Sequence, residues 1–168
     1  VQGSISGYGV QGYIVHDEGE ALLVDTAYNA QAMLDVLRRL GVRLVGICLT
    51  HGHADHARSG HGSVLASRQT LEIMAIRYGE DFCGTRQTAV IGEALNINGV
   101  EVTFAPAGHV LGSCQIRVNH KGLRITASGD YKLLPDPTCA PFEPLACEGS
   151  YFQLADYSAV SNLPDTEF

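Results

Sequence analysis

Three histidines and an aspartate crowd into Thr50-His51-Gly52-His53-Ala54-Asp55-His56, directly after the apolar run 44–49. Imidazole and carboxylate groups are the ligands that Zn²⁺, Fe²⁺ or Mn²⁺ take, and the small Gly52 and Ala54 leave the loop room to wrap those side chains around an ion. A solvent-exposed polar turn is the alternative reading. It gives no reason for so much imidazole at the end of a buried strand. The chemistry such a set supports is the binding of a divalent metal ion.

Elements on either side must position this loop. Residues 12–16 and 21–25 are short β-favouring runs around the turn-forming Asp17-Glu18-Gly19-Glu20, which predicts a hairpin. Met33, Leu34, Leu37 and Leu40 recur at helical spacing, so a helix is expected over about 29–40 with Gly41 as its stop. Residues 44–49 are almost continuously apolar, as in a strand buried on both faces. A second helix is expected over 67–78, where Leu71, Met74, Ala75 and Tyr78 repeat behind Ser67 as a cap. Residues 80–92 read as a loop. Asn98-Gly99 joins 94–97 to 100–104 in a second hairpin, and Asn119-His120-Lys121-Gly122 joins 113–118 to 123–127 in a third. From about 134 onward five of the six prolines occur without periodicity, which predicts irregular structure.

At 168 residues the chain is long enough for one domain with a sizeable core and short for two, so 1–168 is taken as a single unit. The 45% hydrophobic and 17% charged content is that of a folded globular chain. No apolar run reaches the roughly 20 residues a membrane span needs, and no signal-peptide pattern opens the sequence. The five cysteines form an odd set without a C-x-x-C pair, which argues against a disulfide framework and for reduced thiols in a cytoplasm. Cys48 and Cys114 fall in apolar strand-like runs and read as small buried hydrophobes. The net charge of −7 argues against broad, non-specific attraction to nucleic acid, without excluding a local basic groove or a metal that contacts phosphate.

The H-x-H-x-D-H pattern resembles the defining motif of the metallo-β-lactamase superfamily. Two later segments match it in order: His109 in Pro106-Ala107-Gly108-His109-Val110-Leu111-Gly112-Ser113, and Asp130 at the end of Ala127-Ser128-Gly129-Asp130. The resemblance implies an α+β fold, the αββα sandwich of that superfamily, trimmed in a chain of this length. It implies that His51, His53 and His109 hold one metal, that Asp55 and His56 hold a second, and that Asp130 bridges both. The ions would be zinc, with Mn or Fe as alternatives. Water between two such ions ionises near neutral pH and attacks phosphorus or carbonyl carbon, with Asp55 and Asp130 as the catalytic carboxylates. Members of the family carry one more histidine on the second metal, and this chain has none after His120.

Residues 51–148 are similar to the ligase-associated DNA exonuclease group in "HGHADHARSGH", "PAGHVLGSCQIRV" and "SGDYKLLPDPTCAPFEPLACE". The first 45 residues, with "LLVDTAY", look more like small-molecule hydrolases of the superfamily. The leading expectation is therefore a nuclease acting on DNA. The alternatives are a hydrolase of a β-lactam, lactone or thioester, and an inactive or engineered metal-binding domain. Lys132 and Arg58 are the first candidates for substrate contact, with Arg68 and Arg117 behind them. Each is otherwise an ordinary surface charge. His16, His61 and His120 read as solvated or locally bonded residues. A homodimer that completes the missing half is a further expectation.

Overall fold

The computed structural model describes residues 12–26 and 30–143. Expectations for the tail beyond 143 lie outside those residues. Alternating apolar positions in β1 (Tyr13–Asp17) and β2 (Glu20–Val24) form the first hairpin, and β3 (Arg43–Cys48), β4 (His61–Ser67) and β5 (Cys83–Ala89) extend it into a five-stranded sheet in chain order. Only the β1/β2 pair is antiparallel, while β2/β3, β3/β4 and β4/β5 are parallel. Parallel neighbours need crossovers, and α1 (Ala30–Leu40) and α2 (Arg68–Tyr78) provide two of the three. The third, from β3 to β4, is the histidine-rich loop.

Helical spacing puts Met33 and Leu37 on the buried side of α1, and Leu71 and Met74 on that of α2. Both sides pack on one face of the first sheet against Ile14, Leu23, Ile47, Leu49, Val64 and Phe82. Period-two alternation sends Leu22, Val24, Cys48 and Leu65 to the opposite face. There they meet Val102, Phe104, Cys114, Ile116, Val118 and Ala127 of the second sheet, a four-stranded antiparallel meander of β6 (Ala94–Ile97), β7 (Val100–Pro106), β8 (Cys114–His120) and β9 (Leu123–Ala127). The layers run helix, sheet, sheet. This is the expected sandwich with both described helices on the first sheet, so the fourth layer does not occur among the described residues.

The hairpins form where the turn residues dictate. Glu18-Gly19, Asn98-Gly99 and Lys121-Gly122 all carry positive φ at both positions, the mirror-image turn whose twist matches the flanking strands. The segment 80–92 departs from the expected loop, because β5 occupies most of it. That strand is exposed along nearly its whole length and alternates in no way a sequence could show; pairing with β4 forms it. The strand β4 was likewise unannounced, with only Val64-Leu65-Ala66 apolar behind exposed Gly62 and Ser63. Burial raises the thiol pKa of both Cys48 and Cys114 to about 12, so they remain protonated packing groups.

Candidate metal centre

Leaving β3, the chain turns over Thr50 and His51, and a single helical turn follows in which the carbonyl of His53 accepts from the amides of His56 and Ala57. That turn brings His51, His53 and His56 to one side. The ring centroids of His51 and His53 are 4.6 Å apart and those of His51 and His56 4.2 Å. From the second sheet, the loop between β7 and β8 delivers His109, 5.1 Å from both His51 and His53 by ring centroid. The loop is shaped by Ser113, whose hydroxyl accepts from the amides of His109 and Val110. Across the two sheets, the amide of Cys114 donates to the carbonyl of Thr50 at 2.8 Å, locking the two ligand-bearing loops together.

Asp130 arrives after β9. Gly129 before it has φ +57, and a Cβ there would lie 2.7 Å from Thr50 Cβ, so only glycine lets this backbone approach. As a result the two carboxylate oxygens of Asp130 face two different donor groups. Oδ2 lies 4.0 Å from His51 Nε2 and 3.6 Å from His109 Nε2, while Oδ1 lies 3.5 Å from His56 Nε2. Asp55 Oδ2 lies 3.9 Å from the same His56 nitrogen. Ligand atoms on one tetrahedral ion with bonds near 2.0–2.1 Å stand about 3.4 Å apart, and these separations are close to that value. The ligand atoms of His51, His53, His109 and Asp130 all fall within 4.8 Å of one another.

Burial and hydrogen bonding fix which ring nitrogens face the centre. Asp25, buried and with φ +54, accepts from the Thr50 amide at 2.8 Å, from the Thr50 hydroxyl at 2.7 Å and from His56 Nδ1 at 2.8 Å. Thr50 has one hydroxyl proton and gives it to Asp25. Its oxygen must therefore accept from His51 Nδ1, 3.0 Å away. Both His51 and His56 thus carry a proton on Nδ1 and turn Nε2 inward, and both of those Nε2 atoms are buried without a hydrogen-bond partner. A buried imidazole nitrogen left in this state is an invitation to a cation.

The electrostatics agree. Burial, and then the neighbouring His56, His53 and His109, push the His51 pKa down to about 2, which keeps it neutral and able to donate its lone pair. For His56, burial opposes charge, but the bond to Asp25 and the charges of Asp25, Asp130 and Asp55 outweigh it and raise the pKa. Positive charge is favoured at the inward side of His56. Divalent ions fit this donor set.

All six residues singled out as ligands, His51, His53, Asp55, His56, His109 and Asp130, meet at this end of the sandwich. The substrate candidates fare differently. Lys132 gives its ammonium to Asp136 at 3.0 Å, and Thr138, first, and Lys132 hold that carboxyl well below the usual range. Arg58 is half-buried two residues beyond His56. His16 and His61 belong to β1 and β4, and His120 bonds Asp17 at 3.0 Å; none joins the cluster. Asp25 is the functional residue that sequence reasoning missed. An acid ending an apolar strand was the available signal.

Comparison with known proteins agrees with this geometry. The sequence profile of the metallo-β-lactamase superfamily matches residues 6–158. A ribonuclease of Thermus thermophilus is 30% identical over 135 residues, covering 62% of this chain and 31% of the relative. A hydroxyacylglutathione hydrolase of Albidiferax ferrireducens is 32% identical over 110 residues, covering 61% of this chain and 40% of the relative. The chain therefore spans well under half the length of both. Among solved structures, the Rm3 metallo-β-lactamase superposes with a TM-score of 0.59 at 20% identity, over 77% of this chain and 59% of that one. A B3 metallo-β-lactamase with an active-site glutamic acid gives 0.56 at 23% identity, over 70% and 55%. Those two likenesses speak to fold alone. Profile, fold and the convergence of four histidines with two aspartates lead to one conclusion: the chain belongs to the metallo-β-lactamase superfamily.

Proposed function

We propose that this chain carries a two-metal hydrolytic centre, with zinc as its metal, that cleaves phosphodiester bonds in DNA. The observation that carries the two-metal part is Asp130, whose oxygens address His51 and His109 on one side and His56 on the other. In this reading His51, His53 and His109 hold one ion, His56 and Asp55 the second, and Asp130 spans them. Divalent ions held by these residues would supply Lewis acidity. In this reading Asp55, half-buried beside His56, would orient the attacking water and take its proton. The Thr50 and Asp25 hydrogen bonds hold both inward imidazoles in the tautomer that binding requires.

Phosphodiester cleavage is supported by the similarity to a ribonuclease, and the choice of DNA rests on the resemblance of the motifs around His109 and Asp130. A second reading, thioester or other small acyl substrates, has its own support. The ligand-bearing loops expose Leu111, Leu133 and Leu134, Lys132 is already paired, and the chain is also similar to a hydroxyacylglutathione hydrolase. End-labelled DNA, end-labelled RNA and a thiol-releasing thioester, each offered with Zn²⁺ or Mn²⁺, separate these. Nucleotide release from DNA that disappears in His53→Ala is expected. Thioester cleavage with the same His53 dependence, and intact DNA, would transfer the proposal to the second reading.

A further inference from the structure

We propose that Arg77 is a positioning residue for the metal centre, acting through the backbone of Gly52, an inference that rests on the two-metal reading above. Gly52 stands between two of the ligands, and its peptide orientation sets the spread of the His51 and His53 rings. On one side the backbone passes close to α2, since a Cβ at Gly52 would lie 3.0 Å from Ile73 Cγ2. On the other, Arg77 Nη1 donates a charged hydrogen bond to the Gly52 carbonyl. Long helical side chains lean toward the helix N-terminus, so an arginine one turn beyond Ile73 reaches back to this level. Its guanidinium carbon lies 5.8 Å from the ring centroid of Tyr78, an arrangement that restrains where the fork points.

The helix that carries Arg77 touches both ligand-bearing loops. Tyr78 donates its hydroxyl to the carbonyl of Ala57 at 3.3 Å, just past His56. At the opposite end of α2, Ser67 and Thr70 donate their hydroxyls to the carbonyl of Gly112 at 2.7 and 3.1 Å, in the loop that carries His109. A single rigid element therefore references the first-sheet ligands to His109 of the second sheet. Of its contacts to the ligand run, the Arg77 bond alone is charged and lies between two ligands. A change there should retune the spacing of donors without dismantling the sandwich, since Arg77 is exposed and outside both apolar cores.

The test compares the chain with Arg77→Met and Arg77→Lys. Zinc affinity is read by competition with a chromophoric chelator, the ligand field by the visible spectrum of the Co²⁺-loaded protein, and the melting temperature is taken without metal. Arg77→Met is expected to bind zinc about tenfold more weakly, the lower end of what loss of a group that orients ligands costs. Its cobalt bands should shift while the metal-free melting temperature holds. Arg77→Lys, which keeps a charged donor, should recover most of the affinity. Unchanged affinity and spectrum in Arg77→Met overturn the proposal, and so does a metal-free melting temperature that falls in step with affinity. If Arg77→Met does not fold, Arg77→Gln, which retains a donor without charge, decides by the same readings. Wild-type chain that takes up no divalent ion is a different result, and overturns the two-metal reading itself.

Discussion

At the scale of single residues the site depends on a carboxylate that touches no reacting atom. Asp25 accepts three hydrogen bonds in a buried position, one from His56 directly and one from the Thr50 hydroxyl that in turn fixes His51. Asparagine cannot replace it, because one of its two ends is a donor and would face a proton already there. Asp25→Asn is expected to weaken zinc binding about 10–100-fold, measured by chelator competition. Thr50→Val, which frees the His51 tautomer and removes one bond to Asp25 but leaves the Asp25–His56 bond, should fall between wild type and Asp25→Asn. Equal zinc affinity in all three proteins would reduce the Asp25 network to a packing role. The candidate ligands were legible in the sequence because a metal imposes residue types at short spacing. Asp25 was hidden because its partners are 25 and 31 positions away, and the one local mark, an acid ending an apolar strand, does not say which side chains it serves.

At the scale of elements, α2 is held by hydrogen bonds at its first residues as well as by its apolar side. The Ser67 hydroxyl accepts from the Thr70 amide at 3.2 Å, capping the helix, and donates to the carbonyl of Gly112 at 2.7 Å. Ser67→Ala removes both bonds at a buried position and should cost about 1–2 kcal/mol, the upper part of the roughly 0.5–2 kcal/mol range for losing an N-cap. Urea unfolding monitored by circular dichroism measures it, and a loss under about 0.3 kcal/mol would mean that Thr70 and water satisfy the same groups. Both helices and all three hairpins could be read from sequence, since Met33 with Leu37, Leu71 with Met74, and the turn pairs at 18–19, 98–99 and 121–122 are local signals. The strands β4 and β5 could not. Their residues are small or polar, and what makes them strands is a parallel neighbour supplied by the rest of the sheet.

At the scale of the whole molecule the sandwich is fastened at both ends. At the metal end the fastening is the Cys114 amide on the Thr50 carbonyl. At the far end the hairpin turns meet: Lys121 bonds Asp17 at 2.7 Å and Glu18 at 2.5 Å, His120 bonds Asp17 at 3.0 Å, and Asn98 bonds Glu20 at 2.7 Å. Between the turns the apolar interior opens into a cleft of about 470 Å³ lined by Val15, Leu22, Val118 and Ile125 among others. With Asp17 and Lys121 lying 104 positions apart, no sequence pattern announces this closure. Its acid sensitivity follows from Asp17, whose carboxyl is lowered from 3.8 to about 2 by the Lys121 bond and then the His120 bond. A carboxyl lowered by folding contributes stability that is present above its unfolded pKa and is lost as pH falls through the folded one. The contribution of Asp17 is therefore nearly whole above about pH 4, falls steeply toward pH 2 and is gone below it. Asp17→Asn should melt below wild type at pH 6, with the gap narrowing as pH falls toward 2 and as salt screens these exposed charges. Melting curves at pH 6, 4 and 2 for both proteins give the answer. A gap that stays constant from pH 6 to pH 2 would mean that the two turns are held together by packing, with the charges as bystanders.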